Sequence, residues 1–379
     1  MSRYYGYPSL TSNYTYQLGD GAPQVTAYYI NAQNNPNLSW ETSEQTDIGI
    51  DLVILKQRLS ITADYFRKKT FDLIKRQDTG WPNTYGYDAP YINQGEIGNT
   101  GVEVSATWKD RVGKVDYMIS GNIATLKNRV DYIDGNPGSF WAHTDAWRGI
   151  LTPYRSVVGQ PYYSYWLIQS AGIFQTDAAA AAYSKDGTPI QPNAKAGDLK
   201  FVDQNGDGKI DDKDRVFMGS AFPKMTYGFT LGANWKQFDI SVFFQGVSGV
   251  KLFNAFKQST LNGAEQGYNR WDKILDAWSP ENTGSNIPKI SANDPNKNFQ
   301  TNSDWYLENG NYMRLKNLLV GYTFKPLPYG IGLRVYFSAD NLLTFTHYSG
   351  MDPEVGGIGL DGGQFPVSRN LAIGVKLNF

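Results

Sequence analysis

The residues best spaced for chemistry form one run, DQNGDGKIDDKD, from Asp203 to Asp214. Hard oxygen donors fall at loop positions 1, 3 and 5 as Asp203, Asn205 and Asp207, and Gly208 at position 6 permits the tight bend. Lys209 at 7 can offer its carbonyl, Asp211 at 9 can bind directly or through water, and Asp214 closes the loop at 12. That is the spacing of a calcium loop, and its alternative is a solvated acidic turn. An Asp stands where a helix-loop-helix calcium site has its bidentate Glu, so the last ligand reaches less far. Ile210 at position 8 suits an apolar anchor. The flanks, 199–202 and 215–218, read as extended and not helical, so the cation would stiffen a surface loop and not act as a sensor.

A second group of residues could contact a ligand by stacking. Trp141 and Trp147 with His143, then Tyr162, Tyr163, Tyr165 and Trp166, crowd two short stretches, and aromatic faces can pack on sugar rings or peptide side chains. Their alternative use is to pack a long loop against its neighbours or a partner. Catalysis finds little support. The only histidines, His143 and His347, lie far apart in the chain, and there is no GxSxG elbow, phosphate-binding loop or HExxH.

The elements that must carry these groups are strands. Apolar residues alternate at period two in Ile48, Ile50, Leu52, Ile54 and again, after Lys56-Gln57, in Leu59, Ile61, Ala63, Tyr65. The same holds for Val102 to Trp108 with Val115 to Ile119, for Tyr227 to Trp235 with Phe238 to Phe244, and for Leu318 to Phe324 with Ile331 to Ala339. The chain closes on Leu371, Ile373, Val375, Leu377 and Phe379. That makes about nine long strands, longer than the roughly 5 to 6 residues of soluble sheets and suited to a tilted membrane strand. Short turns at one rim and long links at the other repeat the asymmetry of outer-membrane barrels. Trp108, Trp235, Phe238, Phe324 and Phe379 fall beside the short-turn rim as an interfacial girdle. Arg314, Lys316 and Arg334 are read onto wet faces that line the lumen.

Composition is consistent with this. Aromatics make up 15% of the chain, yet mean hydropathy is −0.46, and no apolar run approaches the ~18 residues of a membrane helix. With 35 basic and 36 acidic residues there is no electrostatic case for nucleic acid. Cys is absent, which rules out disulfides, thiolate metal sites and a Cys nucleophile. Residues 1–8 hold no apolar signal-peptide core, and a first strand entered from outside predicts a C-terminal piece of a larger barrel.

Several segments together resemble the SusC/RagA type of TonB-linked outer-membrane transporters. They are NPNLSWETSEQTDIGIDL (35–52), ITADYFRKKTFDLI (61–74), NQGEIGNTGVEVSATW (93–108), VVGQPYYSYW (157–166) and AGIFQT (171–176). GDLKFVDQNGDGKIDDKDRVFMGSAFPKMTYGF (197–229), YMRLKNLLVGYTF (312–324), SADNLLTFTHYSGMDPEV (338–355) and PVSRNLAIGVKLNF (366–379) complete the series. The resemblance implies an antiparallel transmembrane β-barrel of roughly 22 strands, of which this chain supplies the C-terminal part. It also implies import of an oligosaccharide or peptide, a SusD-like surface lipoprotein as partner, and coupling to the TonB complex through N-terminal parts outside this sequence. In outer-membrane barrels a terminal aromatic strand, here Val375, Leu377 and Phe379, serves as an insertion signal.

The expected organisation is an extracellular loop over 1–45, two barrel hairpins over 46–132, a long extracellular loop over 133–223 holding the calcium-type run 203–214, and barrel strands over 224–379. The competing fold is a soluble, calcium-stabilised β-sandwich that binds carbohydrate. It predicts strands of ~5 to 6 residues and loops shared between both ends. A surface adhesin would show internal repeats, and none occur.

Overall fold

The computed structural model describes residues 9–17, 19–32, 35–77, 83–86, 88–136, 138–265, 267, 269–325, 328 and 331–378. Phe379 and most of the turn around Pro326 and Gly330 therefore lie outside the described residues.

One ten-stranded sheet organises the molecule. Its strands are β1 (Thr42–Ile54), β2 (Leu59–Phe71), β3 (Glu96–Val112), β4 (Val115–Thr125), β5 (Lys127–Tyr132), β6 (Met225–Trp235), β7 (Phe238–Ser248), β8 (Tyr312–Thr323), β9 (Gly332–Thr346) and β10 (Asn370–Asn378). They pair antiparallel in the order β10-β9-β8-β7-β6-β4-β3-β2-β1. β5 follows β4 past Leu126 and pairs with the upper part of β3. The sheet is open, with β1 and β10 at its two ends. Among the described residues no helix is long and apolar enough to cross a membrane.

The alternation read from the sequence fixes the two faces of this wall. Ile48, Ile50, Leu52 and Ile54 on β1 stay exposed, as do Val102 and Val104 on β3 and Leu371, Ile373 and Val375 on β10; Ile373 reaches 80%. In water such a continuous apolar face is untenable, because exposed patches beyond a few hundred Å² mark contact with a partner or a membrane. The other face is polar and knits itself together. Thr62 donates to Asp51 across β1 and β2 at 2.6 Å, and Thr107 and Ser120 share a bond of 2.8 Å. Asn317 donates to Asp340 at 2.8 Å. Arg334 on β9 pairs with Asp239 on β7 across the intervening strand β8. That bridge passes over Gly321, where a Cβ would sit 2.5 Å from both the guanidinium and the carboxylate.

The short turns Leu55–Arg58, Gly113–Lys114 and Lys236–Gln237 lie at one rim. There the register aligns Trp235, Phe238 and Tyr322, with ring centroids 6.2 Å apart for the first pair and 4.7 Å for the second. Tyr322 in turn meets Phe324 at 4.7 Å. Aromatic rows of this kind line the rims of membrane barrels.

At the other rim the long connections are folded, not loose. Phe140–Ala142, Tyr154–Val157, Ser164–Ile168 and Arg215–Ser220 make a four-stranded sheet. Leu151, Tyr154, Tyr165 and Leu167 from this connection pack on Phe253, Ala255 and Tyr306 from the next. Each large side chain so buried contributes about 1.5–3 kcal/mol. The hydrophobic core clusters thus sit in the head above the wall, the reverse of a soluble sandwich, and the wall strands other than the six-residue β5, at 9 to 17 residues, exceed sandwich lengths.

Two expectations need correction. Segment 1–45 is not all loop: Ser9–Gln17 pairs antiparallel with Gln24–Ala32, and β1 begins at Thr42. The long loop 133–223 is a folded subdomain whose strands interleave with residues from 250–310.

Candidate functional site

The calcium-type run lies between Leu199–Phe201 and Arg215–Ser220, both strands, with one short 3-10 turn at Asp212–Asp214. Its flanks are extended as the sequence suggested. Gly206 and Gly208 take positive φ of 69° and 86°, which glycine adopts without strain. Asp203 gathers the loop around itself: Oδ1 accepts from the Gly206 amide at 2.7 Å and Oδ2 from the Gly208 amide at 2.8 Å. Asp214 is fully buried and accepts from the amides of Gln204 at 2.9 Å and Asp211 at 2.7 Å. Asn205 donates to Asp207 at 3.1 Å, and Asp211 accepts from the Lys213 amide. Lys209 is exposed, and Ile210 packs against Ile168, Leu199 and Phe201 as an anchor. Among the described residues no three His, Asp or Glu side chains gather as a ready metal cluster, so a cation here would also need Asn205 and main-chain oxygens.

The aromatic candidates divide into three places. Trp141, His143, Tyr162 and Tyr163 form one cluster. His143 stacks on Tyr163 at 3.6 Å and meets Tyr162 edge-on at 5.3 Å, while Trp141 meets Tyr162 edge-on at 6.1 Å. Lys75, on the strand Ile74–Arg76, brings its ammonium 4.7 Å from the Tyr162 ring and 5.0 Å from Trp141, and it donates to the Tyr162 hydroxyl. Such cation–π contacts orient the rings. The Tyr163 hydroxyl donates to Asp145 at 2.8 Å, and burial followed by that bond raises its pKa. His143 bonds Ser156 Oγ at 2.7 Å; burial first, then the Lys75 charge, lowers its pKa to about 4. It is a neutral packing group at physiological pH.

Tyr165 leaves this cluster. It is wholly buried, and its hydroxyl donates to the Gly359 carbonyl at 3.0 Å with the carbonyls of Ile358 and Lys251 close by at 3.2 and 3.3 Å, so it is a core strut. Trp147 packs over Gly362, where a Cβ would lie 2.3 Å from its ring, and donates to Gln258 at 3.3 Å. Trp166 pairs edge-on with Phe217 at 6.3 Å. Neither joins the Trp141 cluster. Lys75 was missed because a lone Lys after a long strand carries no signal until Trp141 folds over it.

The basic residues assigned to the lumen are tied off. Arg314 is 2% exposed and bonds Asp352 at 2.6 Å, Glu354 at 2.8 Å and Thr344 at 3.0 Å. Lys316 reaches Glu354 at 3.5 Å. They clamp the connection 347–369 over the wall. Of the strand residues proposed as an insertion signal, Val375 and Leu377 stand exposed on β10, and Phe379 lies outside the described residues.

Comparison with known proteins agrees with this architecture. The chain is 30% identical to TonB-dependent receptor P3 of Formosa agariphila over 383 aligned positions, covering 95% of this chain and 36% of that relative. It is 26% identical to TonB-dependent receptor SusC of Bacteroides thetaiotaomicron, covering 91% of this chain and 32% of SusC. The chain therefore spans about a third of the length of the curated relatives it matches. Its fold matches a solved structure of the RagAB peptide transporter with a TM-score of 0.76 and 25% identity, over 99% of this chain and 39% of that one. The family model for TonB dependent receptor-like β-barrels matches residues 2–342, and the chain belongs to that family.

Proposed function

We propose that this chain forms the C-terminal part of the wall, and much of the extracellular head, of a TonB-dependent importer that carries an oligosaccharide or peptide across the outer membrane. The observation that carries the reading is the inverted burial of the molecule: an apolar wall face left exposed, and hydrophobic core clusters that lie in the head. Membership of a family of outer-membrane receptors supports it, as does the fold shared with a peptide transporter. On this reading a SusD-like lipoprotein closes over the head, and energy comes from the TonB complex through parts of the protein outside this chain. We read no catalytic role. His143 is neutral and stacked on Tyr163, and the hydroxyl it bonds, Ser156 Oγ, is fully buried and accepts from the Tyr163 amide, which gives a substrate no access to the pair.

Within the head, Trp141, Tyr162 and Tyr163 are proposed as ligand-facing rings, and the 203–214 loop as a structural calcium site in which Asp203, Asn205, Asp207, Lys209, Asp211 and Asp214 supply the oxygens. Val375 and Leu377 would take part in recognition by the insertion machinery. A binding experiment on the full-length receptor with its surface lipoprotein tests the transport reading. Labelled oligopeptides and oligosaccharides are offered to wild type and to W141A/Y162A. One class should bind, and the double variant should bind it about tenfold more weakly, as lost stacking on two rings predicts. Binding of neither class would remove the importer reading, and equal binding by the variant would remove the two rings.

A further inference from the structure

A cationic notch lies on the lipid-facing side of the wall, outside any path a nutrient would take. The outward rows of β1, β2 and β3 can be followed by register: Ile50 pairs with Ala63 and Ala63 with Val104; one row up, Ile48 pairs with Tyr65 and Tyr65 with Val102. The next outward row toward the head is Thr46, Arg67, Thr100 and Lys127, and the one above it is Glu44, Lys69, Gly98 and Arg129. The pairing of β1 with β2 and of β2 with β3 is unbroken here, so these side chains share the face of Tyr65 and Val102. The apolar belt therefore gives way to cations within one row, about 7 Å along the strand.

Arg67, Lys69, Lys127, Arg129, Thr100 and Asp131 line a concavity of about 200 Å³ together with Gly98, over which the Asp131 carboxylate lies. Two of its cations are compensated, Lys69 by Glu96 at 2.6 Å and Arg129 by Asp131 at 2.7 Å. Arg67 and Lys127 flank Thr100, are exposed, and have no acidic partner among the described residues. Lys127 also lines an adjoining cavity of about 750 Å³ with Lys224, Lys251, Leu126, Phe217 and Val250, and no acidic residue borders that space.

We infer that this notch binds a phosphate-bearing glycolipid headgroup of the surrounding outer leaflet. Two unpaired cations around a small hydroxyl residue suit a phosphate, with Arg67 able to bond it bidentately and Thr100 to donate a further bond. The height suits it too. Cations immediately above an apolar face meet lipid headgroups, and a soluble anion would gain nothing from that placement. The inference rests on the membrane-wall reading proposed above.

Retention of purified lipid A by the full-length receptor in mild detergent, followed by native mass spectrometry, tests it. The arms are bisphosphorylated and dephosphorylated lipid A, with wild type, R67Q/K127Q and a control, K56Q, at the opposite rim. Wild type and K56Q should retain the phosphorylated lipid, and R67Q/K127Q should lose about tenfold of it, the loss expected from removing charge-assisted bonds. Equal retention by R67Q/K127Q, or equal retention of both lipids by wild type, overturns the proposal, as does complete displacement by millimolar inorganic phosphate, which would mark a site for the free ion. Heat-modified gel migration of each variant reports barrel assembly separately. A failure there in wild type counts against the wall itself and not against the notch.

Discussion

Asp214 shows how a single side chain can hold a loop together, as the one fully buried member of the 203–214 run. Fully buried, it staples the start of the run to its end through the amides of Gln204 and Asp211. Replacing it with Ala orphans those donors and should cost about 1–3 kcal/mol. Under the calcium proposal the wild-type melting temperature rises on adding calcium and falls with a chelator, whereas D214A shows neither response; a wild type indifferent to both would dispose of the cation. His143 offers a pH test. Unfolded, it takes a proton near 6.5, but folded only near 4, so between these values the unfolded chain binds more protons. Its contribution to stability is complete above 6.5 and is lost as pH falls toward 4. Melting curves of H143N should show a shallower decline over that window, and an unchanged slope would mean that the imidazole is not shielded. Spacing alone exposed the calcium-type loop and the aromatic crowding in the sequence. Burial was not legible, because nothing in PYYSYW separates Tyr165, a core strut, from Tyr162 three residues before it.

The strands were legible wherever one face was continuously apolar, and they became illegible where the register slips. Strict period two would place Arg314 on the face of Leu318 and Val320. The structure turns it inward, because Lys316 is an extra residue in β8 against β7, and Asn341, at φ 52°, is one in β9 against β8. A bulge leaves no mark in a hydrophobic pattern except an apparent exception, and here the exception is a buried arginine. The hairpin Ser9–Gln17 with Gln24–Ala32 escaped for another reason. Its residues are Ser, Thr, Tyr and Gln with few aliphatics, so only β-propensity and the Gly19-Asp20-Gly21 turn signalled it. Strand faces also make an asymmetric prediction about substitution. Val104 faces outward and its neighbour Glu103 inward, so V104K should cost about 2–4 kcal/mol of barrel stability while E103K costs little. The fraction of assembled, heat-modifiable receptor in outer membranes reads this. Equal losses for the two would mean that the faces are assigned wrongly.

As a whole, the molecule is a wall with a folded head. The wall has two free ends, β1 and β10, and a row of unpaired main-chain groups at each is tolerable in a membrane only if other strands complete the barrel. The relatives, of which this chain covers about a third, have ample length to supply them. What the sequence could not convey was the head, since its short buried strands, such as SYWLI at Ser164–Ile168, lack alternation and draw their partners from remote connections. The central claim is that one face of the wall lies in lipid. This chain contains no Cys, so in a full-length receptor freed of any cysteine elsewhere, single cysteines can be placed from Gly101 to Trp108 on β3, spin-labelled and read by accessibility to oxygen and to a water-soluble nickel chelate. The account predicts alternation at period two, with positions 102, 104 and 106 open to oxygen and closed to the chelate, and 103, 105 and 107 the reverse. Uniform chelate access at all of these positions would contradict it.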